Sequence, residues 1–257
     1  MTLLDGTYAV ITGASSGLGF SMAEALLQEG ANVALASRPG SRLDDAVSSL
    51  KDRGLKAYKL PLDVRSESSV NEAVQWVEKE WGKIDVLVNN AGIGMRTVNP
   101  SFLTEPQPFF KVSAEGFRDL IDTNLTGYFL VSKGFSPLMM KQRKGKIINI
   151  SMNYETMKRK GFVPYGPSRA GTESLSYIMS EDLREYGIMV NMLLPGGATI
   201  TGMIPDEVKN EIQNNFKLLD PNVMAEPIVF LASQQSDGIT GERIVAIDFK
   251  NWLEKRG

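Results

Sequence analysis

The chain has 257 residues, 42% of them hydrophobic, which is enough to bury a sizeable core in one α/β domain or in two small ones. Its formal net charge of -2 and pI of about 5.5 argue against binding to nucleic acid or to an anionic membrane. It contains no cysteine and no histidine, which excludes disulfides, thiolate nucleophiles, histidine triads and Cys/His zinc sites, and we expect no metal.

The amino-terminal segment MTLLDGTYAVITG has no basic stretch followed by a long apolar one. No run along the chain approaches the roughly 20 apolar residues that cross a bilayer. The sequence therefore predicts neither a signal peptide nor a membrane span, and we expect a soluble, cytoplasmic protein.

Short apolar runs alternate with segments of helical periodicity. The expected strands are 8–11, 32–36, 57–62, 84–88, 146–150, 188–194 and 243–247. The expected helices are 18–30, 42–53, 66–81, 113–140, 164–186, 205–216 and 225–233. Segments 93–112 and 195–201 are expected as loops, and the stretch after the fifth strand as irregular. This alternation predicts a doubly wound, seven-stranded parallel sheet with helices on both faces, in a single domain over 1–257.

The segment TGASSGLG, residues 12–19, lies where the first strand meets the first helix. Glycines there let a pyrophosphate approach the main chain, while free amides and the helix dipole attract the anion. A glycine-rich turn in this strand–turn–helix context predicts a dinucleotide site.

Five motifs occur in order: TGASSGLG, Asp63 in LDV, Asn89-Asn90-Ala91-Gly92 after the fourth strand, Asn124 in TNL, and Pro195-Gly196. In this order they resemble the short-chain dehydrogenase/reductases over nearly the whole chain. The resemblance implies a Rossmann fold, a nicotinamide dinucleotide with Asp63 at the adenine and Pro195-Gly196 at the nicotinamide, and a homodimer or homotetramer.

The end of the second strand distinguishes the two dinucleotides. NAD sites usually place an acid there, whereas a 2′-phosphate needs that acid to be absent and a cation nearby. This chain has Ser37 at that position, followed by Arg38, with Arg42 further on, which favours NADP(H). Against it, Ser16 stands where many NADP-preferring relatives carry a base, and Arg38 has the alternative interpretation of a surface cation.

Family members typically use Asn, Ser, Tyr and Lys, with the last two spaced as YxxxK on one helix. The matching segment here is Tyr165-Gly166-Pro167-Ser168-Arg169, so arginine replaces the lysine. Arg169 lies one turn from Tyr165, where it can place a positive charge near the phenol and bind the ribose. Because arginine cannot give up its proton, the lysine-linked relay through a water at Asn124 is in doubt.

The serine position, thirteen residues before the tyrosine, is occupied by Met152, which cannot donate a hydrogen bond to a carbonyl. Losing such a donor commonly costs on the order of a hundredfold in rate. Ser151 and Asn153 flank the position and either compensate for it or cap the backbone at the strand end.

A second YxxxK match, from Tyr154 to Lys158, follows the fifth strand in a segment without a clear helical period. Tyr165 is preferred because it precedes a long helix with an apolar stripe at Leu175, Ile178, Met179 and Leu183. The alternative is that Tyr154 or Lys158 reaches the site and takes over a lost role.

Two apolar segments are candidates for shaping a substrate pocket. The loop 93–112 carries Met95, Phe102, Phe109 and Phe110, and the segment after Pro195 carries Thr199, Thr201, Met203, Ile204 and Phe216. Packing or an oligomer interface, to which the tail 249–257 could contribute, accounts for such residues equally well.

The sequence therefore predicts an oxidoreductase that transfers a hydride between NADP(H) and an apolar carbonyl or alcohol, with Tyr165, Arg169 and Asn124 as the catalytic set. The residues expected to contact the dinucleotide are Gly13, Ser15, Ser16, Gly17, Leu18, Gly19, Arg38, Asp63, Val64, Asn90, Ala91, Gly92, Tyr165, Arg169, Pro195 and Gly196. The alternatives are a dinucleotide-binding sensor or partner subunit without activity, and a reductase of conjugated C=C bonds.

Overall fold

The computed structural model describes residues 2–200 and 218–256. Seven parallel strands form one sheet in the order β3-β2-β1-β4-β5-β6-β7. The strands are β1 Tyr8–Thr12, β2 Asn32–Ser37, β3 Ala57–Pro61, β4 Val86–Asn89, β5 Gly145–Ile150, β6 Ile188–Leu194 and β7 Arg243–Val245. The predicted doubly wound parallel sheet is confirmed, and its order reverses between β1 and β4, where such folds bind their ligands.

Helices cover both faces of the sheet. They are α1 Gly17–Gln28, α2 Ser41–Lys51, α3 Glu67–Trp81, α4 Ala114–Ile121, α5 Gly127–Gln142, α6 Tyr154–Met157, α7 Tyr165–Asp182, α8 Ala225–Ala232 and α9 Phe249–Glu254. Alternate residues of β1 enter different cores: Ala9 and Ile11 pack with α1, α2 and α8, while Val10 packs with α3 and α5. Burial on both faces explains why the strands are apolar throughout.

Several predicted boundaries were wrong. The helix expected over 113–140 is interrupted by a π-helical turn, Asp122–Thr126, between α4 and α5. The stretch expected as irregular after β5 contains the one-turn helix α6, and the last strand ends at Val245, two residues early. The expected helix over 205–216 lies outside the described residues.

Helix α7 packs against the interior through a polar face, which corrects the expected apolar stripe. Ile178 is 57% exposed, and Leu175 and Met179 are only partly buried. The buried positions are Gly166, Ser168, Arg169, Thr172, Glu173, Ser176 and Ser180. The hydroxyls of this face donate to carbonyls of their own helix, which satisfies them at close packing distance.

The tail predicted as a possible contact segment forms α9 and folds back on its own chain. Phe249 packs against Phe230 and stacks on Trp252. None of the helices that the structure describes has the length and apolar composition to cross a bilayer.

Candidate active site

The glycine turn after β1 is tied to both neighbouring strands. The Thr12 hydroxyl accepts hydrogen bonds from the amides of Asn90 and Ala91, both at 3.0 Å. The Asn90 side chain donates to the carbonyls of Thr12 and Gly13 at 2.9 and 3.2 Å. On the other side, the Gly13 amide donates to the carbonyl of Ala36, at the end of β2, at 2.7 Å. Three strand ends are therefore held in one arrangement.

Two of the glycines are required by close approach. A Cβ on Gly19 would lie 2.4 Å from the Gly13 carbonyl oxygen, and one on Gly13, whose φ is +66°, would lie 2.7 Å from Ala91 Cα. The cap residue Ser16 makes no side-chain bond to the first turn of α1, so the amides of Gly17, Leu18 and Gly19 have no side-chain cap there. An uncapped helix start beside a glycine cradle fits a pyrophosphate.

Beyond β2, the structure places the residues expected at the adenosine end close together. Ser37 and Ser15 are joined by a 3.2 Å hydrogen bond between their hydroxyls. Arg65 Nε and one terminal nitrogen donate to the two carboxylate oxygens of Asp63 at 3.3 and 3.1 Å. These bonds, with a smaller contribution from Arg38, hold the pKa of Asp63 below its usual value against the opposing effect of burial. Arg38 is exposed and forms no ion pair among the described residues.

Asn124 is buried in the π-helical turn, and Val64 is buried below it against Gly127. The Asn124 side chain pairs with the backbone of Ile93, just after Gly92, and the Thr172 hydroxyl of α7 donates to the Asn124 carbonyl at 3.0 Å. A buried chain of amides and hydroxyls continues beneath the strand ends through Ser132, Asn89, Asn149 and Ser176. The turn is thus fastened to both β4 and α7.

Tyr165 opens α7, and Arg169 follows one turn later. The guanidinium carbon of Arg169 lies 5.4 Å from the centroid of the Tyr165 ring and 5.4 Å from that of Tyr128. Arg169 is only 3% exposed, and burial alone would lower its pKa, but the facing oxygens of the two tyrosines outweigh burial and raise it. The site therefore contains a permanent positive charge between two aromatic rings.

Tyr128, which no sequence motif predicted, also belongs to the site. Its hydroxyl accepts a 2.8 Å hydrogen bond from Arg169 and donates to the carbonyl of Ile150, at the end of β5, at 3.3 Å. Burial raises the pKa of Tyr128, although Arg169 opposes this rise. The available signal was spacing, because Tyr128 comes four residues after Asn124 on one helical segment, so it faces the same side.

Met152 lies in an apolar cluster instead of a polar one. It is buried with Met95, Phe102, Leu120 and Phe162, and Tyr165 packs against the same cluster. The two neighbouring polar groups are engaged within the protein, since the Ser151 hydroxyl donates to Glu173 and the Asn153 amide donates to the carbonyl of Gly196. Asn153 therefore binds the protein backbone, which is one of the two roles expected for it from the sequence.

Tyr154, the alternative tyrosine, has a different environment. Its ring lies on the guanidinium of Arg243, 3.8 Å from the ring centroid, and Arg243 pairs with the buried carboxylate of Glu173 at 2.9 Å. Lys158 is exposed at the end of α6. The structure thus groups Tyr154 with β7 and Glu173, whereas it groups Tyr165 with Arg169.

The strand end after β6 borders the same edge of the sheet. Gly196 has φ of +95° and a Cβ there would lie 2.5 Å from Ile247, which leaves no room for a side chain beside Pro195. Thr199 is buried and forms an isolated bridge to Leu219. Thr201, Met203, Ile204 and Phe216, expected around the substrate, lie outside the described residues.

Comparison with known proteins agrees with this arrangement. A family model described as short chain dehydrogenase matches residues 7–212. The chain belongs to the short-chain dehydrogenase family.

Among its relatives, a 2-dehydro-3-deoxy-D-gluconate 5-dehydrogenase of Formosa agariphila is 31% identical over 254 residues, covering 95% of this chain and 92% of that protein. A 3-oxoacyl-(acyl-carrier-protein) reductase of Staphylococcus epidermidis is 32% identical over 243 residues, covering 92% and 95%. The crystal structure of a short-chain type dehydrogenase/reductase from Mycobacterium marinum superposes with a TM-score of 0.83 at 28% identity, covering 94% of each chain. By their names these relatives are oxidoreductases, and the family to which they and this chain belong binds nicotinamide cofactors.

Proposed function

We propose that this protein is an oxidoreductase that transfers a hydride between NADP(H) and a carbonyl or alcohol, with Tyr165 as acid and base and Arg169 in place of the family's lysine. The observation that carries the proposal is the Tyr165–Arg169 pair, with a buried guanidinium 5.4 Å from the tyrosine ring at the edge that holds the glycine turn. A fixed cation beside a phenol stabilises the negative charge that develops on its oxygen while the proton is being transferred, as acid–base catalysis requires.

The residues at this edge fit a nicotinamide dinucleotide. The uncapped start of α1 and the turn formed by Gly13 and Gly19 suit the pyrophosphate, and Arg38 suits a 2′-phosphate. The proposed contacts are the sixteen residues expected from the sequence, with Ser15, Ser16, Val64, Asn90, Ala91, Gly92 and Gly196 supplying mainly backbone. When bound, the cofactor supplies or accepts the hydride.

The chain's own residues handle the proton. In the reductive direction, the Tyr165 hydroxyl gives its proton to the substrate oxygen, and the reverse step returns it. Arg169 stabilises the phenolate but cannot relay a proton, because a guanidinium stays charged at any usable pH. We assign Asn124 to the water site and to holding the loop after β4, which its two bonds to Ile93 support.

An apolar carbonyl compound is the proposed substrate class. Tyr165 packs against the buried cluster that contains Met152, and Ile93 and Met157 pack against the same cluster. None of these three apolar side chains can donate a hydrogen bond to a polyhydroxylated substrate. By their names, the relatives act on a sugar acid and on an oxoacyl group, and this surrounding favours the second kind of substrate.

A binding protein without turnover is the second candidate. Two observations favour it: Met152 occupies the carbonyl-orienting position, and both hydrogen bonds that Arg169 forms among the described residues go to protein atoms.

The exposed side chains of Phe129 on α5 and of Tyr177 and Ile178 on α7 support a homodimer or homotetramer, to be measured by sedimentation. We also propose a cytoplasmic protein of one domain.

The deciding experiment is turnover of a carbonyl panel, including conjugated enones, with NADPH. We expect activity in the parent, a loss of at least about a hundredfold in Tyr165→Phe, and unchanged activity in Tyr154→Phe, which removes the same atom from the other tyrosine. If the parent is inactive and Met152→Ser with Arg169→Lys acquires activity, the binding-protein function is correct. Full activity in Tyr165→Phe would contradict the assignment of the tyrosine.

A further inference from the structure

We infer that Tyr128 is a positioning residue that fixes the guanidinium of Arg169 for the dinucleotide and for Tyr165. The kinetic part of this inference rests on the proposed function. Tyr128 is fully buried on α5, and its hydroxyl is the only side-chain atom that bonds Arg169 among the hydrogen bonds of the described residues. No motif that carries the family resemblance includes this tyrosine.

The hydrogen bonds form a closed set of three groups. One terminal nitrogen of Arg169, Nη1, donates to the Tyr128 hydroxyl at 2.8 Å and to the Ile150 carbonyl at 3.0 Å. Tyr128, having accepted from Arg169, donates its own proton to the same carbonyl at 3.3 Å. Because Ile150 is the last residue of β5, these bonds hold the Arg169 side chain in a fixed position relative to the sheet as well as to its own helix.

These bonds engage one of the three guanidinium nitrogens, Nη1. Nε is buried without a partner, and Nη2 lies 2.6 Å from the point where a Cβ on Gly92 would sit. Gly92 therefore leaves the space that the guanidinium fills. Nε is closed off from solvent and therefore from a ligand, so a hydroxyl of the bound cofactor's ribose is the proposed partner for Nη2, since an unpaired charged donor is unfavourable.

An arginine at this position needs a neighbouring group, here Tyr128, that fixes its orientation, whereas a lysine does not. A guanidinium is planar and directs its donors at fixed angles, so its orientation decides which donors face the ligand. An ammonium is a compact point charge with freely rotating donors. Arg169 replaces the family's lysine, and Tyr128 supplies the hydrogen-bond acceptor that sets the orientation of the planar guanidinium.

The test is a cycle of variants: Tyr128→Phe, Arg169→Lys and both together, with Tyr58→Phe as the control that removes a tyrosine hydroxyl at the opposite end of the sheet. We expect Tyr128→Phe to weaken NADPH binding and kcat/KM about tenfold to a hundredfold in the parent. In the Arg169→Lys background the same change should alter them less than about twofold, because the group that Tyr128 positions is gone.

A spectroscopic measurement does not depend on activity or cofactor binding. In ¹⁵N spectra of the arginine side chains, the two terminal nitrogens of Arg169 should give separate resonances in the parent and merge in Tyr128→Phe, as the guanidinium begins to rotate. Tyr58→Phe should leave them separate, and Arg169→Lys identifies them by their loss.

Two results would overturn the inference: unchanged Arg169 resonances in Tyr128→Phe, or equal losses from Tyr128→Phe in the arginine and lysine backgrounds, which would mean a merely structural tyrosine. If Tyr128→Phe unfolds, combining it with Arg169→Met should restore the fold, because no unpaired charge is then left buried. A parent that binds no NADPH refutes the proposed function, and the spectra still decide the role of Tyr128.

Discussion

The side chain of Asn124 binds both backbone groups of Ile93. Its Nδ2 donates to the Ile93 carbonyl at 2.9 Å, and its Oδ1 accepts from the Ile93 amide at 2.8 Å. Asn124 is completely buried, so neither bond competes with solvent. This pair ties the π-helical turn to the loop after β4, which makes Asn124 a structural residue whether or not a water binds beside it.

We therefore expect Asn124→Ala to lower the free energy of unfolding by about 1–3 kcal/mol for each of the two backbone groups it leaves unpaired. Urea unfolding measures the loss. Asn251→Ala is the matched control, because Asn251 is exposed on α9 and its side chain bonds only Asp248 among the described residues. Equal stability of Asn124→Ala and the parent would mean that water replaces both bonds.

Arg38 should decide the choice of dinucleotide. We expect the parent to bind NADPH at least about tenfold more tightly than NADH, and Arg38→Asp to reverse this order, since an acid repels a 2′-phosphate and accepts from a 2′-hydroxyl. Fluorescence titration gives both dissociation constants. Lys141→Asp changes the net charge equally but lies at the end of α5, which leads to the opposite edge of the sheet, so it should change neither constant. Equal affinities of the parent for both dinucleotides would refute the prediction.

The buried ion pair between Glu173 and Arg243 should be important for stability. Glu173 is 4% exposed and accepts from both Arg243 and Ser151, while Arg243 also donates to the Met152 carbonyl at 2.7 Å. Glu173→Ala leaves the arginine unpaired and should cost about 3–5 kcal/mol.

Combining Glu173→Leu with Arg243→Met should recover much of that loss, because no charge is then left buried. Glu181→Ala, which breaks an exposed ion pair with Arg184 just beyond the end of α7, should cause no measurable change. Thermal and urea unfolding of the four proteins test this, and a loss in the double variant as large as that in Glu173→Ala would contradict it.

The Asp63–Arg65 pair should make stability depend on acid pH. Arg65 holds the pKa of Asp63 below its usual value of about 3.9. A carboxyl whose pKa is lower in the folded state stabilises the fold above the unfolded value and loses that effect as the pH falls through the folded value. The difference in unfolding free energy between the parent and Asp63→Asn should therefore shrink as the pH is lowered from about 6 to about 3. Asp45→Asn, at an exposed carboxylate of α2 without an ion pair among the described residues, is the control for removing one negative charge from the surface.

The sequence predicted the parts of the fold that depend on local patterns. A parallel sheet is predicted by the apolar runs around Val10 and Val33, and a turn at its edge by the glycines between strand and helix. The structure contains both. The order of motifs also identified the family, which the match over residues 7–212 confirmed.

Other features depend on contacts that no local pattern encodes. The stripe containing Ile178 and Met179 has helical spacing, yet α7 buries the opposite face, because small hydroxyl side chains such as Thr172 and Ser176 allow close packing and bond to their own helix. Tyr128 and Arg169 are 41 residues apart, so their pairing follows only from the tertiary fold.

The Thr12 hydroxyl accepts hydrogen bonds from two backbone amides of the segment after β4. These bonds affect how fast and how tightly a dinucleotide binds. Because these bonds already order the glycine turn, the incoming dinucleotide does not have to fold its own cradle, and little conformational entropy is lost on association. Thr12→Val would leave the helix and strands in place but make the cradle a flexible receptor, so weaker binding should come with a larger unfavourable entropy in calorimetry.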